Sequence, residues 1–169
     1  MVGRYMHRII FIHIPKTGGS TFHSVLNKRY KKEAIWNVFG GKMSSPEIAQ
    51  FSKLPGEKRE KVELLKGHMP YGLHEYLPSD AKYISFLRDP VERVSSQYYY
   101  IKKNKHNPHH EMVHEGNMSI SDFMTSGVVT GMNNGQSRFL TGDVDRLPYG
   151  DCDSLFDEVR ANILERFIW

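Results

Sequence analysis

The sequence contains a single cysteine, Cys152, so the chain cannot form an internal disulfide. This excludes the small secreted domains that disulfides hold together, and it is typical of proteins kept in a reducing compartment. The sequence also lacks the roughly 20 consecutive apolar residues that a membrane-spanning helix needs. Its early apolar run, Ile9–Ile12, is broken by His13 and is too short for the core of a signal peptide. We therefore expect a buried strand there, and a cytoplasmic protein.

Positively charged residues only slightly outnumber negatively charged ones. Lysine and arginine total 23 residues, aspartate and glutamate 19, and the net charge is +4 with the 9 histidines counted as neutral. A mild positive charge suits an anionic ligand but does not indicate nucleic acid, so we predict no nucleic-acid partner. The 169 residues, 39% of them hydrophobic, carry no internal repeat and suffice for one domain with a hydrophobic core.

Segments with strand character alternate with segments of helical periodicity. The predicted strands, rich in β-branched and aromatic residues, are 8–14, 62–66 and 82–87. The predicted helices are 20–30, 46–51, 71–77, 90–103, 119–125, 134–140 and 154–167. The polar, histidine-rich stretch 104–117 predicts a mobile surface loop. This alternation predicts an α/β fold with three layers, in which helices cover both faces of a central parallel sheet.

Each predicted strand ends in a polar residue that can reach a ligand. Lys16 follows the first strand, His68 the second and Arg88 the third. Because ligands of such sheets bind at the carboxyl ends of the strands, we expect these three side chains to meet at one site.

The segment Lys16–Thr21 (KTGGST) has the composition of an anion-binding loop. Its glycines allow close approach of the backbone, the following helix offers its positive end, and the lysine and three hydroxyls add charge and donors. A plain glycine turn with a capping serine is the simpler alternative, and the lysine and hydroxyls argue against it. Lys16 precedes the glycines, whereas the magnesium-nucleotide loop of P-loop NTPases places its lysine after them. The pattern therefore indicates a phosphate or sulfate bound without a required metal.

Two segments resemble the donor-binding motifs of sulfotransferases, most closely those of the Golgi-type carbohydrate group that includes heparan sulfate 2-O-sulfotransferase and bacterial relatives. Ile12–Phe22 (IHIPKTGGSTF) resembles the 5′-phosphosulfate loop of that family, and Phe86–Tyr99 (FLRDPVERVSSQYY) resembles its 3′-phosphate motif. Gly67-His68 resembles the position of the catalytic base, and 134–140 (NGQSRFL) resembles a further common segment. The resemblance covers residues 8–142 in order.

The resemblance implies a P-loop-NTPase-like sulfotransferase fold and 3′-phosphoadenosine 5′-phosphosulfate as the donor, with no metal required. It implies that Lys16 stabilises the leaving phosphate and that His68 takes the proton from the acceptor hydroxyl, with His13 and His74 as nearby substitutes. It assigns the 3′-phosphate to Arg88 and Ser96. The sulfate and 5′-phosphate oxygens would be held by the loop residues Lys16, Thr17, Gly18, Gly19, Ser20 and Thr21.

The resemblance also implies a carbohydrate hydroxyl as the acceptor, although a lipid, a small metabolite or a tyrosine stays open. Members of the family continue into another strand and a loop over the adenine, so we expect residues 1–169 to be a single sulfotransferase domain that lacks its C-terminal part. A fragment of an anchored relative would belong in the Golgi lumen rather than the cytoplasm.

Two other functions are compatible with parts of the sequence. A non-catalytic protein that binds nucleotides or sulfated glycans would use the same anion loop, but it has no need for a base such as His68. His110–His114 (HEMVH) matches the zinc-protease pattern H-E-x-x-H. Pro108 and Gly116 flank that pattern closely, and no third ligand stands at a usual downstream distance, so its context favours a solvated loop.

Overall fold

The computed structural model describes residues 8–78, 80–127, 129–142 and 152–168. In these ranges the strands are β1 (Ile9–Ile12), β2 (Ile35–Val38), β3 (Leu64–Gly67) and β4 (Lys82–Ser85). The α-helices are α1 (Gly19–Arg29), α2 (Pro46–Ser52), α3 (Gly56–Arg59), α4 (Pro90–Lys103), α5 (Ile120–Thr125), α6 (Gly135–Thr141) and α7 (Cys152–Arg166). Short 3₁₀ turns cover Lys32–Ala34, Leu73–Tyr76 and Thr130–Met132, and a π-helical turn covers Glu111–Glu115.

The chain divides into two compact units. The first comprises the residues up to Phe86 together with those from Gln136 onward, and the second comprises Leu87–Gly135. None of the helices in the described ranges is long and apolar enough to cross a membrane.

The first unit is built on a four-stranded sheet in the order β2-β3-β1-β4, with every pair parallel. Ile10 of β1 lies between Leu65 of β3 and Tyr83 of β4. Phe167, just after α7, forms an isolated parallel bridge with Tyr83. The predicted α/β fold with a central parallel sheet is confirmed. The prediction missed β2, a short strand in which Val38 alone is fully buried and Asn37 is exposed.

Successive residues of β1 point to opposite faces of this sheet, and each face has its own hydrophobic core. Ile10 and Ile12 pack with residues of α2 and α7, among them Phe51 and Val159. Ile9 and Phe11 pack on the other face, together with residues of α1. His13, two residues after Phe11, lies on the same face of the sheet, which α1 covers, and this places its ring beside the start of that helix.

The second unit packs α4 and α5 around its own small core. Pro90 occupies the first turn of α4, and Asp89 caps that helix by accepting a hydrogen bond from the backbone N–H of Glu92. Ser119 and Asp122 form a reciprocal capping box at α5. The core consists of Val94, Tyr98, Ile101, Val113 and Phe123.

The sequence predictions were wrong in three local details. The stretch predicted as a loop, 104–117, contains the π-helical turn, because the fully buried Val113 anchors it to the core of the second unit. The charged stretch 55–61, which the sequence predicts to be a surface loop, contains the one-turn helix α3. Several apolar residues that helical spacing placed on buried faces are exposed, namely Val25, Val91, Phe156 and Leu164. Periodicity locates the centre of a buried face, but packing decides its width.

Candidate functional site

Strands β1 and β3 are neighbours whose following segments leave the sheet in opposite directions. After β1 the chain passes through α1 to β2, beyond β3, whereas after β3 it continues to β4, beyond β1. A crevice at such a switch point is the usual ligand site of an open parallel sheet. The segment after β1 carries the anion-loop sequence, and the segment after β3 begins with His68. The backbone N–H of His13 donates to the carbonyl of Gly67 at 2.8 Å, which joins the two segments.

The loop after β1 has a constrained backbone. Lys16 has a φ of 70° and Gly18 a φ of 88°, both in the left-handed region. This conformation is easy for glycine but costs a side-chain-bearing residue about 1–2 kcal/mol. The hydroxyl of Thr17 donates to the carbonyl of Ile14 at 2.8 Å and closes the turn. Strain of this kind at a non-glycine residue is concentrated at functional sites.

Helix α1 begins at Gly19 with Gly18 as its N-cap, one residue earlier than the predicted helix 20–30. Gly18 has no side chain to cap the helix, and the first turn contains no acidic residue. The positive end of α1 is therefore well suited to an anion. Ser20 and Thr21 lie exposed in the first turn, where their hydroxyls can add donors.

Gly19 is packed against the imidazole of His13. A Cβ atom at Gly19 would collide with the Cδ2 atom of that ring and would lie 2.7 Å from its Nε2 atom. Only glycine fits at this position, so the first turn of α1 and His13 approach each other more closely than any side chain would allow.

His68 has its tautomer set by a backbone carbonyl. Its Nδ1 atom lies 2.7 Å from the carbonyl oxygen of His13, and its ring stacks on the ring of His13 with centroids 4.7 Å apart. A carbonyl can only accept, so Nδ1 carries the proton and Nε2 of the neutral ring keeps its lone pair. A lone pair at Nε2 is what a general base requires.

A chain of three side chains runs behind His68. Lys66 Nζ lies 3.0 Å from Nδ1 of His23, and Nε2 of His23 lies 2.9 Å from Nδ1 of His13. Lys66 is only 4% exposed, and burial lowers its pKa. We call these residues, Lys66, His23 and His13, the Lys66 chain.

Both histidines of the Lys66 chain are held neutral. Burial, followed by the charges of His68, His23 and Lys66, lowers the pKa of His13 from 6.5 to about 4. Burial, followed by the charges of Lys66 and His68, lowers the pKa of His23 to about 4 as well. Near neutral pH both rings are therefore uncharged.

In the second unit, Arg88 lies just before α4 and Ser96 on its second turn. Nε of Arg88 contacts the carboxylate of Glu92 at 3.2 Å, and both side chains are well exposed. Ser96 is seven positions after the N-cap Asp89, so it lies on the same helix face as Asp89, about 10 Å further along the axis. A guanidinium and a hydroxyl can both donate hydrogen bonds to one phosphate, and the exposed ion pair between Arg88 and Glu92 is worth only about 0–1 kcal/mol.

Comparison with known proteins identifies the family. A profile described as "Sulfotransferase family" matches residues 4–140, which is well over half of the chain. The chain belongs to the sulfotransferase family. A protein-tyrosine sulfotransferase of Arabidopsis thaliana is similar to it, with 35% identity over 94 residues, which are 53% of this chain and 16% of that protein. The chain thus spans less than a fifth of the length of that curated relative. No solved structure matches significantly.

The structure brings the anion loop and His68 of this sulfotransferase-family chain together in the first unit. Lys16, Gly18, Gly19, Ser20 and Thr21 surround the start of α1. The hydroxyl proton of Thr17 is used within the loop, so Thr17 shapes the loop in addition to any contact with a ligand. The expected proximity of Arg88 and Ser96, which belong to the second unit, stays a prediction.

The zinc-protease pattern of this sulfotransferase-family chain has a structural use. His110 is buried, and its Nδ1 donates to the carbonyl of Ile101 at 2.9 Å. Its ring stacks on that of His114, with centroids 4.9 Å apart. In the part of the chain that the structure describes, no group of three or more His, Cys, Asp or Glu side chains is placed to hold a metal ion.

The sequence predictions did not include His23 or Lys66, and they named His13 only as a substitute for His68 in the role of base. The signal for Lys66 was a lysine inside an otherwise apolar strand, since lysines are almost never fully buried. His74, the other substitute, is held elsewhere. Its Nδ1 accepts from the hydroxyl of Tyr83, which itself accepts from the backbone N–H groups of Gly72 and His74. This arrangement ties His74 to the opposite face of the sheet.

Proposed function

We propose that this chain transfers a sulfuryl group from 3′-phosphoadenosine 5′-phosphosulfate to an acceptor hydroxyl. The observation that carries the proposal is His68, whose Nδ1 proton is committed to the carbonyl of His13 and whose Nε2 atom is left as a base. This base lies at the same switch point as the anion loop, so donor and acceptor would meet there. Family membership supports the reaction class.

The loop fits the phosphosulfate of the donor. The uncapped start of α1 provides backbone N–H groups, and Gly19 lets the backbone approach without a side chain in the way. Lys16 would place its ammonium beside the bridging oxygen, where negative charge builds up as the sulfur–oxygen bond breaks. Arg88 and Ser96 would hold the 3′-phosphate of the same donor, an assignment that rests on the resemblance.

Every bond and proton of the proposed transfer is accounted for by the donor, the acceptor and His68. The acceptor oxygen attacks sulfur as its proton moves to Nε2 of His68, and the bond from sulfur to the 5′-phosphate oxygen breaks. The products are the sulfated acceptor and 3′-phosphoadenosine 5′-phosphate. By analogy with phosphoryl transfer, most of the rate enhancement comes from positioning and charge stabilisation, and a positioned base adds about 10²–10⁴-fold.

A carbohydrate hydroxyl is the acceptor that the resemblance favours. A tyrosine hydroxyl is the second candidate, because the chain is similar to a protein-tyrosine sulfotransferase. The two acceptors differ chemically, since a phenol with a pKa near 10 gives up its proton far more easily than a sugar hydroxyl. A strong dependence on His68 therefore favours the carbohydrate.

The test combines donor binding with sulfate transfer. Calorimetry measures binding of 3′-phosphoadenosine 5′-phosphate, and radiolabelled donor is offered with a desulfated glycosaminoglycan or with a tyrosine peptide. His68→Asn keeps a donor for the His13 carbonyl but removes Nε2, so we expect unchanged nucleotide binding and a rate about 10²–10⁴-fold lower. Lys16→Ala should lower the rate as well, and His106→Asn, in an exposed turn, is the matched control.

Three results would change the conclusion. Wild-type transfer by His68→Asn would remove His68 from the role of base. Nucleotide binding without transfer to either acceptor would favour the non-catalytic binding protein. Failure of the wild type to bind the nucleotide would refute the proposed donor.

A further inference from the structure

Lys66 is a buried lysine whose partner is a histidine rather than a carboxylate. It is 4% exposed and contacts Nδ1 of His23 at 3.0 Å. In the described residues no aspartate or glutamate forms an ion pair with it. A buried lysine without a counter-ion is costly, so its presence in β3 calls for a use.

Lys66 dictates the protonation pattern of both rings beyond it. A charged ammonium has donors only, so Nδ1 of His23 must accept and the proton of this neutral ring must lie on Nε2. That Nε2–H points at Nδ1 of His13, 2.9 Å away, which must accept in turn. The proton of His13 therefore lies on its own Nε2.

Nε2 of His13 is at the anion loop. It lies 2.7 Å from the point that a Cβ atom of Gly19 would occupy, at the first residue of α1. His13 is half-buried, and no described residue is hydrogen-bonded to its Nε2. The Lys66 chain thus ends in an N–H donor beside the uncapped positive end of a helix of 11 residues.

We propose that His13 is a further donor-binding residue, whose Nε2–H donates to a phosphosulfate oxygen, and that Lys66 and His23 are positioning residues that hold it in this tautomer. The inference rests on the proposed function, which supplies the anion. His13 thus acts twice, through its carbonyl on His68 and through its imidazole on the donor.

The first experiment determines the histidine tautomers before the nucleotide is added and then follows a titration with the nucleotide. Long-range proton–nitrogen NMR of the histidine-labelled protein reports which ring nitrogen carries the proton, and we expect Nε2–H at both His13 and His23. Addition of 3′-phosphoadenosine 5′-phosphate should then shift the Nε2 resonance of His13. An Nδ1–H tautomer at His13, or no shift at saturating nucleotide, would overturn the inference.

The second measurement uses Lys66→Met, which keeps the length of the side chain and removes the donors. We expect a folded protein, mixed tautomers at His13 and His23, and nucleotide affinity weaker by about 10-fold, the value of one hydrogen bond to a charged group. Lys61→Met, an exposed lysine just before β3, is the matched control and should bind as the wild type does. Wild-type affinity in Lys66→Met would overturn the inference.

The outcomes separate the inference from the function on which it rests. A wild type that does not bind the nucleotide refutes the proposed donor, and the His13 donor role falls with it. A wild type that binds and transfers sulfate, with the wrong tautomer at His13, refutes only the role of the Lys66 chain. If Lys66→Met does not fold, the wild-type NMR titration alone decides.

Discussion

The two neutral histidines of the Lys66 chain make the fold sensitive to acid. In the unfolded chain His13 and His23 take up protons near pH 6.5, whereas in the folded protein they do so only near pH 4. Between these values the unfolded state binds more protons, so the free energy of unfolding falls as the pH falls. Above about pH 7.5 neither state is protonated to a significant extent at these rings, and this contribution is fully present.

The magnitude follows from the size of the shift. One pKa unit corresponds to about 1.36 kcal/mol. A fall in pKa from 6.5 to about 4 therefore lowers the free energy of unfolding by about 2 kcal/mol per ring when the pH falls from about 7.5 to 5. Both rings are only half-buried, and solvent screening reduces this to about 1 kcal/mol each. The lowered pKa of His74, which burial causes, acts in the same direction. We expect the pair to contribute about 2 kcal/mol of acid sensitivity.

Urea unfolding at the two pH values measures this loss. The wild type is compared with the double variant His13→Gln/His23→Gln, which keeps polar groups but cannot titrate, and with His106→Gln as the matched control. We expect the double variant to lose about 2 kcal/mol less than the wild type on acidification, and the control to lose as much as the wild type. Equal losses in the wild type and the double variant would refute the reasoning, as would NMR titration of both rings near pH 6.5.

Two further predictions concern the anion loop and the second unit. Gly19→Ala forces a Cβ atom into the ring of His13, so we expect a loss of about 1–3 kcal/mol of stability in urea unfolding and loss of nucleotide binding in calorimetry; an unchanged protein would contradict the close packing. Arg88 is well exposed and its ion pair with Glu92 is too, so we expect Arg88→Ala to change the stability by at most about 1 kcal/mol. Its nucleotide affinity should fall about 10-fold or more, and an unaltered affinity would remove Arg88 from the 3′-phosphate role.

Local chemistry made much of the fold predictable. Helix α4 was predicted with the bounds it has, because Pro90 and the capping Asp89 mark its start in the sequence itself. Strand β1 was predictable as an apolar, β-branched run. Strand β2 was not predictable, because its four residues show little alternation of apolar and polar side chains. Its strand conformation depends on pairing with β3. The turn around Val113 was missed because one buried residue does not make a periodic pattern.

The sequence by itself indicated an anion-binding loop, because a lysine, two glycines and three hydroxyls between a strand and a helix have few other uses. The resemblance of its motifs to those of sulfotransferases singled out His68 as a candidate base. Only the tertiary structure decided the Lys66 chain. Lys66 and His23 are 43 residues apart in sequence, and His23 and His13 are 10 apart. They meet because β3 pairs with β1 and α1 covers the face to which all three side chains point. Parallel pairing of distant strands, and with it the tautomer of each ring, is set by the packing of the whole sheet rather than by any local run of residues.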